Sequence, residues 1–170
     1  NNTLIKARGI EVGHIFHFGQ KYSLPMKANI SDKTGDKIPV FMGSYGVGLS
    51  RLVGAVIEAN HDEKGIIWPK EITPWDYNII NLKCGDIDCD KICSELYNAM
   101  NINEIKVLYD DTEERAGAKL ARADLIGLPY QIIIGPKGIK DQLYDLKCRK
   151  SGDISRLSYD ELLNFVQTNQ

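Results

Sequence analysis

The stretch from Phe41 to Glu58 holds the residues best suited to chemistry. Gly43, Gly46 and Gly48 stand between a predicted strand and a predicted helix, where glycines let the main chain approach a flat or phosphorylated ligand closely. Arg51 follows in the first turns of the helix, where a guanidinium can pair with a phosphate or stack on an aromatic base. The residue types and their spacing therefore indicate a possible nucleotide site.

Three interpretations of this stretch compete. A dinucleotide fingerprint of the form GxGxxG fails, because Arg51 stands where the last glycine belongs. Taken without the rest of the chain, the stretch also fits a structural role, with glycines in a tight turn and an exposed arginine. The third interpretation is motif 3 of class II aminoacyl-tRNA synthetases, which the run from Gly43 to Arg51 resembles.

Two predicted strands and one helix must position this stretch. The strands are expected over Ile10–Phe18 and Pro39–Ser44, with a turn cluster at Ser31–Asp36 between them. After Gly48, apolar side chains recur at helical spacing at Leu49, Leu52, Val53, Val56 and Ile57. Two strands are too few to close a core, so we expect this part of the chain to need further partners.

Beyond Trp68–Pro74, which we interpret as a domain linker, strands and helices alternate. Strands are predicted over Tyr77–Leu82, Ile105–Tyr109 and Tyr130–Ile134, and a hairpin over Asp141–Arg149 and Asp153–Leu157. Helices are predicted over Asp88–Met100, Arg115–Ile126 and Ser158–Val166, and a turn over Gly135–Gly138. The alternation predicts a three-layer α/β/α sandwich with a mixed sheet.

Local signals mark the faces and ends of these helices. A buried face is predicted from the spacing of Cys89, Cys93, Leu96 and Met100. Gly127 is placed to cap the second helix, and Ser158 with Glu161 forms a capping box at the start of the last.

Composition excludes several classes of protein. No apolar run is long enough to cross a membrane, and a net charge of −2 gives no general attraction to nucleic acid, although a local basic face would suffice. The four cysteines form no CxxC pair and are interpreted as reduced thiols, in keeping with a cytoplasmic protein. His14 and His17 should point to opposite faces of a strand, so we expect no metal site.

Neighbouring segments extend the motif 3 resemblance over nearly the whole chain. Gly9–Ser23 resembles the segment just upstream of motif 3, and GIIWPKEITPWD resembles the exit from the catalytic domain. The stretch DDTEERAGAKLARADLIGLPYQIIIG resembles an anticodon-binding domain. Together these segments are similar to the bacterial-type prolyl-tRNA synthetases. The resemblance implies part of an antiparallel class II catalytic sheet with its motif 3 helix over 1–72, and an anticodon-binding domain over 73–170.

The resemblance also implies substrates and site residues for the first segment. Members of this family attach proline to tRNA(Pro) in an ATP-dependent reaction with Mg²⁺, and they act as homodimers. By similarity, Arg51 would hold ATP, and Gly46 and Gly48 would line the adenylate and proline site. The proline pocket would include His14, Phe16 and Ser44, where many relatives carry cysteine in place of Ser44. His14 could equally be a half-buried hydrogen-bonding residue of the strand.

For the second segment, the resemblance implies contact with the anticodon. The predicted contact residues are Asp111, Glu113, Arg115, Lys119 and Lys137. Carboxylates can accept hydrogen bonds from the Watson–Crick edge of guanine, and basic side chains can donate to its O6 and N7 atoms. Proline anticodons share two guanines, so both kinds of group are appropriate. The alternative is that the charges from Glu113 to Lys119 are solvated at a helix start.

The stretch from Lys137 to Arg156 has more basic than acidic residues and is the predicted phosphate-contacting surface.

Motifs 1 and 2 of the class II enzymes are absent, so we expect this chain to be inactive alone, with no bound cofactor or structural metal. Two further hypotheses remain: a non-catalytic tRNA-binding paralogue or regulatory subunit, and an unrelated nucleotide-binding enzyme.

Overall fold

The computed structural model describes residues 4–169 and divides into two compact units. The first unit extends to Val56, and the second unit begins at Ile57. The residues that precede Thr73 in the second unit pack onto it. The indole Nε1 of Trp68, for example, donates to the main-chain oxygen of Ile126 at 3.0 Å. The boundary predicted between residues 72 and 73 separates two functional domains and differs from the division into compact units. It stays a prediction.

The first unit is built from short strands and two helices. Its elements are β1 (Gly13–Gly19), α1 (Ser23–Met26), β2 (Asn29–Ser31), β3 (Lys37–Pro39), β4 (Met42–Val47) and most of α2 (Leu49–Ala59). β1 pairs with β4, and β2 pairs with β3, both antiparallel. The turn between β2 and β3 is fixed by Asp32, whose Oδ1 accepts from the main-chain nitrogens of Thr34 and Asp36, each at 2.9 Å. The predicted turn and helix are confirmed, and the strand predicted over Ile10–Phe18 corresponds to β1. The strand predicted over Pro39–Ser44 is wrong at its start, because β3 ends at Pro39 and β4 begins only at Met42.

The predicted glycine-rich turn is wrong for two of its three glycines. Gly43 and Gly46 lie inside β4, and only Gly48 lies between β4 and α2. The strands approach so closely that a Cβ on Gly43 would stand 3.2 Å from the main-chain oxygen of Phe16. Gly48 ends the ladder, because its nitrogen donates to the main-chain oxygen of Val12 at 2.9 Å before the chain enters α2.

The second unit contains a five-stranded mixed sheet in the order β11-β10-β9-β7-β8. Its strands are β7 (Tyr77–Asn81), β8 (Val107–Asp110), β9 (Tyr130–Ile134), β10 (Tyr144–Cys148) and β11 (Ile154–Leu157). Its helices are α3 (Ile87–Ile102), α4 (Ala116–Ile126), α5 (Pro136–Asp141) and α6 (Tyr159–Thr168). A small hairpin, β5 (His61–Asp62) and β6 (Gly65–Ile66), and a 3-10 turn (Lys70–Ile72) precede the sheet. β7, β8 and β9 are parallel, and β10 and β11 are antiparallel, which confirms the mixed sheet.

Helices cover both faces of this sheet. On one face Ile79 and Ile132 pack with Leu96 of α3 and Leu162 of α6 in the hydrophobic core. Gln131 points to the opposite face, because side chains alternate along a strand, and its amide nitrogen donates to Asp124 of α4 at 2.8 Å. The predicted three-layer arrangement is therefore confirmed. None of the helices in residues 4–169 is long and apolar enough to span a membrane.

The helix signals are confirmed in detail. Cys89, Cys93, Leu96 and Met100 are all buried on α3. Ser158 and Glu161 form both bonds of the capping box of α6. Gly127 ends α4 with φ of 76°, and a Cβ there would stand 1.9 Å from the main-chain oxygen of Ile66. Glycine is thus required at this position for its conformation and for its lack of a side chain.

The predicted turn at Gly135–Gly138 is wrong. The chain leaves β9 at Gly135 and enters the short helix α5, with Pro136 at its first turn. Proline suits this position because it lacks the N–H that the first turn of a helix leaves unpaired. The same helix takes up Asp141, which was predicted to begin the hairpin, so β10 begins only at Tyr144.

Candidate functional site

The paired strands β1 and β4 bring together the residues predicted for the proline pocket. In the antiparallel register His14 lies opposite Gly46, and Phe16 lies opposite Ser44. The rings of His14 and Phe16 stack with 4.2 Å between their centroids. Directly opposed residues share a face of a sheet, as do residues two apart in one strand, so these four form one patch. All four are exposed.

Glu11 connects this patch to Arg51. Nη1 of Arg51 donates to the main-chain oxygen of Glu11 at 2.8 Å, and Nδ1 of His14 lies 3.1 Å from Oε1 of Glu11. A guanidinium has five N–H donors, so this bond leaves others for a phosphate. The Arg51 contact spans 40 residues of sequence, and no local pattern could have indicated Glu11.

A separate site lies in the second unit, where the connections of the sheet change direction. β7 connects through α3 to β8 on one side, whereas its parallel neighbour β9 connects through α5 to β10 on the other side. Open α/β sheets bind ligands in the crevice that such a reversal leaves at the carboxyl ends of the strands. Leu82 follows β7 there, and Gly135 follows β9. A Cβ on Gly135 would stand only 3.2 Å from the Leu82 side chain.

This crevice, the switch-point groove, has a volume of about 510 Å³, a size typical of ligand sites. Its apolar lining comes from Leu82, Ile133, Leu143 and Ile154. Its charged lining comes from Lys137, Asp145 and Arg156. Arg156 lies between two carboxylates, with Nη2 at 3.1 Å from Asp141 and Nε at 3.4 Å from Asp145. The groove therefore offers an apolar surface beside groups that can donate and accept hydrogen bonds.

Lys137 is the one residue of this groove that the sequence predicted individually as an anticodon contact. Asp145 was missed, and Arg156 was included only as the end of a basic stretch. The signal available in the sequence was the alternation in β10 and β11, which puts Asp145 and Arg156 directly opposite one another. Without the strand order, however, nothing indicated that this pair adjoins the ends of β7 and β9.

The loop between β8 and α4 carries the other predicted anticodon residues. Asp111, Glu113 and Arg115 are exposed there, at the same carboxyl edge of the sheet but beside the edge strand β8. The loop is anchored by Asp110, whose Oδ2 accepts from Arg122 at 2.7 Å. Burial raises the pKa of Asp110, but hydrogen bonds from Arg122 and Thr112 outweigh it and hold the pKa below its usual range.

Lys119 has no exposed surface, although it was predicted alongside these residues. Its ammonium donates to the main-chain oxygen of Asn81 at 2.6 Å, to Sγ of Cys84 at 3.1 Å and to the main-chain oxygen of Asp110 at 3.3 Å. The alternative of a solvated charge at the helix start is therefore wrong for Lys119. The geometry favours a role in holding the loops after β7 and β8 together, and contact with RNA stays a prediction.

Metal-ligating side chains do not converge in the part of the chain that is described. No group of three or more His, Cys, Asp or Glu residues within 4–169 could hold a metal ion. All four cysteines are free thiols.

Comparisons with known proteins find relatives over most of the chain. A family model described as an anticodon binding domain matches residues 76–169. A proline–tRNA ligase of Caulobacter vibrioides is 54% identical over 160 residues, which is 94% of this chain and 36% of that protein. A proline–tRNA ligase of Methylorubrum populi is 58% identical over 149 residues, 88% of this chain and 34% of that protein. The chain thus spans about a third of the length of these curated relatives.

A solved structure shows the same fold. The prolyl-tRNA synthetase of Cryptosporidium parvum, complexed with L-proline and AMP, superposes with a TM-score of 0.74 at 21% identity, covering 93% of this chain and 36% of that one. The resemblance seen in the sequence is confirmed by the curated relatives. The chain belongs to the anticodon binding domain family, and over most of its length it is a relative of the bacterial proline–tRNA ligases.

Proposed function

We propose that this chain is part of a proline–tRNA ligase, and that its second unit binds the anticodon loop of tRNA(Pro). The high identity to proline–tRNA ligases over most of the chain supports the activity of the whole protein. The observation that carries the anticodon role is the switch-point groove, with its apolar lining and its three charged side chains. A cytoplasmic homodimer is the corresponding proposal for the whole protein.

The chemistry of the groove suits an unstacked guanine. RNA readers splay single-stranded bases out and bind their edges with polar side chains. The Asp145 carboxylate can accept from the N1–H and N2–H groups of guanine, and Arg156 or Lys137 can donate to O6 and N7. Leu82 and Ile154 would pack against the faces of the base. The two guanines shared by proline anticodons match a groove that holds both a carboxylate and basic groups.

The exposed loop after β8 would contact the same RNA from the other side of the carboxyl edge. Asp111, Glu113 and Arg115 lie on this loop, whereas Lys137 borders the groove itself. Lys119 would act indirectly, by holding the loop in place from inside the unit. On this proposal Arg156 contributes more to the choice of base than Arg115 does.

The first unit would contribute to proline activation. His14, Phe16, Ser44 and Gly46 form the patch that would face the prolyl ring, and Arg51 would pair with a phosphate of ATP. The exposed guanidinium fits this role, because only one of its donors is bonded to Glu11. Mg²⁺ would arrive with the phosphates, since this ion is usually held by one or two carboxylates and the nucleotide. Its chemical contribution is to neutralise charge on the phosphates.

Binding of an anticodon stem-loop tests the proposal directly. The 170-residue chain is titrated with a proline anticodon stem-loop and with the same loop carrying adenines in place of the two shared guanines, at a stated salt concentration. We expect at least about tenfold weaker binding of the adenine loop, since a bidentate base contact contributes about 1–3 kcal/mol to discrimination.

Paired variants separate the groove from the loop. Arg156→Gln should remove most of the preference for guanine, and Arg115→Gln should weaken binding to both loops about equally. Neither change should unfold the chain, because Arg156 is about half exposed and its ion pairs contribute little to stability. Equal binding of the two loops by the unaltered chain would refute anticodon reading by this unit.

A further inference from the structure

Cys84 and Lys119 place a partly exposed thiol against a fully buried amine. Nζ of Lys119 lies 3.1 Å from Sγ of Cys84, and Lys119 has no exposed surface. We propose that this pair is a modification site, at which a peroxide joins the Cys84 sulfur to the Lys119 nitrogen in a reversible sulfenamide cross-link.

The nitrogen is held beside the sulfur by the fold. Nζ also donates to the main-chain oxygens of Asn81 at 2.6 Å and Asp110 at 3.3 Å, so it cannot swing into solvent. Cys84 lies in the loop after β7 and is only partly covered, so we expect a small oxidant to reach its sulfur. Once Cys84 is oxidised to sulfenic acid, its sulfur would therefore meet the Lys119 nitrogen before it met another molecule. This is the advantage of a preformed intramolecular contact.

The reaction balances in two steps. In the first, the Cys84 sulfur attacks one oxygen of hydrogen peroxide, the O–O bond breaks, and the departing oxygen takes the thiol proton and leaves as water. Cysteine is thereby oxidised to sulfenic acid and the peroxide is reduced. In the second, Lys119 gives one proton to the sulfenic oxygen, its nitrogen attacks the sulfur, the S–O bond breaks, and a second water leaves.

One further proton must leave the new S–N nitrogen. Oδ1 of Asp110 lies 3.6 Å from Nζ and can receive it. The overall change is one thiol, one ammonium and one hydrogen peroxide converted to the sulfenamide, two waters and a released proton. Condensation of a sulfenic acid with a nearby main-chain nitrogen gives the same class of product, and oxidation of cysteine to this level is reversible.

The other cysteines lack this arrangement and act as internal controls. Burial raises the pKa of Cys89 to about 11 and the pKa of Cys93 to about 12, so both thiols should resist oxidation. Cys148 is partly exposed, and although burial raises its pKa, main-chain and side-chain hydrogen bonds from Ser151 lower it overall. Cys148 should therefore oxidise without forming the lysine cross-link.

Peptide mass spectrometry tests the proposal on the folded chain. The protein is treated with hydrogen peroxide, the remaining thiols are alkylated in denaturant, and the chain is digested with trypsin. We expect a linked pair of peptides that contains Cys84 and Lys119, lighter by two hydrogens than the sum of the two, with cleavage after Lys119 lost. Dithiothreitol added before alkylation should restore both peptides.

Three controls decide the outcome. Cys84→Ser should abolish the linked pair, Cys148→Ser should leave its yield unchanged, and peroxide treatment of the urea-unfolded chain should produce none. The proposal is overturned if Cys84 proceeds to sulfinic acid with no linked pair. It is also overturned if the pair carries an additional oxygen, because the link would then not be a sulfenamide.

Discussion

Replacement of Lys119 by methionine isolates the contribution of its buried ammonium. Methionine keeps an unbranched apolar stem of similar length, so the packing of α4 against the sheet should change little. What is lost is the set of three hydrogen bonds, to the main-chain oxygens of Asn81 and Asp110 and to Sγ of Cys84. Those acceptors would lose their donor at a position where residue 119 has no exposed surface.

The geometry sets the size of the effect. A hydrogen bond from a charged donor contributes about 1.5–3 kcal/mol, and the 2.6 Å bond to Asn81 belongs in this range. The bonds to the sulfur and to Asp110 are longer and contribute less. Removal of a buried charge returns part of this loss, because its desolvation is no longer required. We therefore expect Lys119→Met to lower the free energy of unfolding by about 2 kcal/mol, or the melting temperature by about 10 °C.

Tryptophan fluorescence measures this change in the relevant unit. Both tryptophans, Trp68 and Trp75, lie in the second unit, so urea unfolding followed by their emission reports on that unit alone. Lys137→Met is the matched control at an exposed lysine and should shift stability by less than about 0.5 kcal/mol. If Lys119→Met and Lys137→Met are equally stable, the inference that the buried bonds hold these loops together is refuted.

The remaining predictions concern the ends of β8 and α6. Because the pKa of Asp110 is lowered in the folded chain, its contribution to stability is present above the unfolded pKa of about 4 and is lost as the pH falls through the lower folded value. Arg122→Gln should therefore reduce the acid-induced loss of stability in urea titrations from pH 6 to pH 2 (about the range of carboxyl titration), and an unchanged slope would contradict the assignment. Ser158→Ala removes the capping bond that the Ser158 side chain accepts from the main-chain nitrogen of Glu161 and should cost about 1 kcal/mol in urea unfolding, whereas Ser158→Asp should restore most of the loss.

Most of the second unit could be predicted because its local signals agree with its tertiary structure. The spacing of Cys89, Cys93, Leu96 and Met100 predicts one helical face, and that face is buried against the sheet. Gly127 ends α4 where a positive φ is needed, and the nearby main chain leaves no room for a side chain at this position. Where sequence pattern and packing require the same residue, one of them is enough to find it.

The residues that were misjudged depend on long-range contacts. Lys119 looked like a charge at an exposed helix start. No local pattern shows that its ammonium bonds to the main-chain oxygen of Asn81, which lies 38 residues away in the sequence. Gly43 and Gly46 looked like a turn, because their closeness to β1 is set by strand pairing rather than by neighbours in sequence. Pro136 is different, since proline at the first turn of a helix is a local signal that could have indicated α5.

The two units therefore call for different experiments. Every buried apolar side chain of the described core lies between Tyr77 and Val166, whereas in the first unit Ile15 is 82% exposed and Tyr45 is 81% exposed. The second unit encloses a core and presents its groove on a five-stranded sheet, so the binding of an anticodon loop can be measured on this chain. The first unit presents its patch on a two-stranded sheet, which is marginal in water without further packing. The roles proposed for His14 and Arg51 should thus be tested in a protein as long as the curated relatives, where loss of proline-dependent ATP turnover on Arg51→Gln, with anticodon binding retained, would separate the two functions.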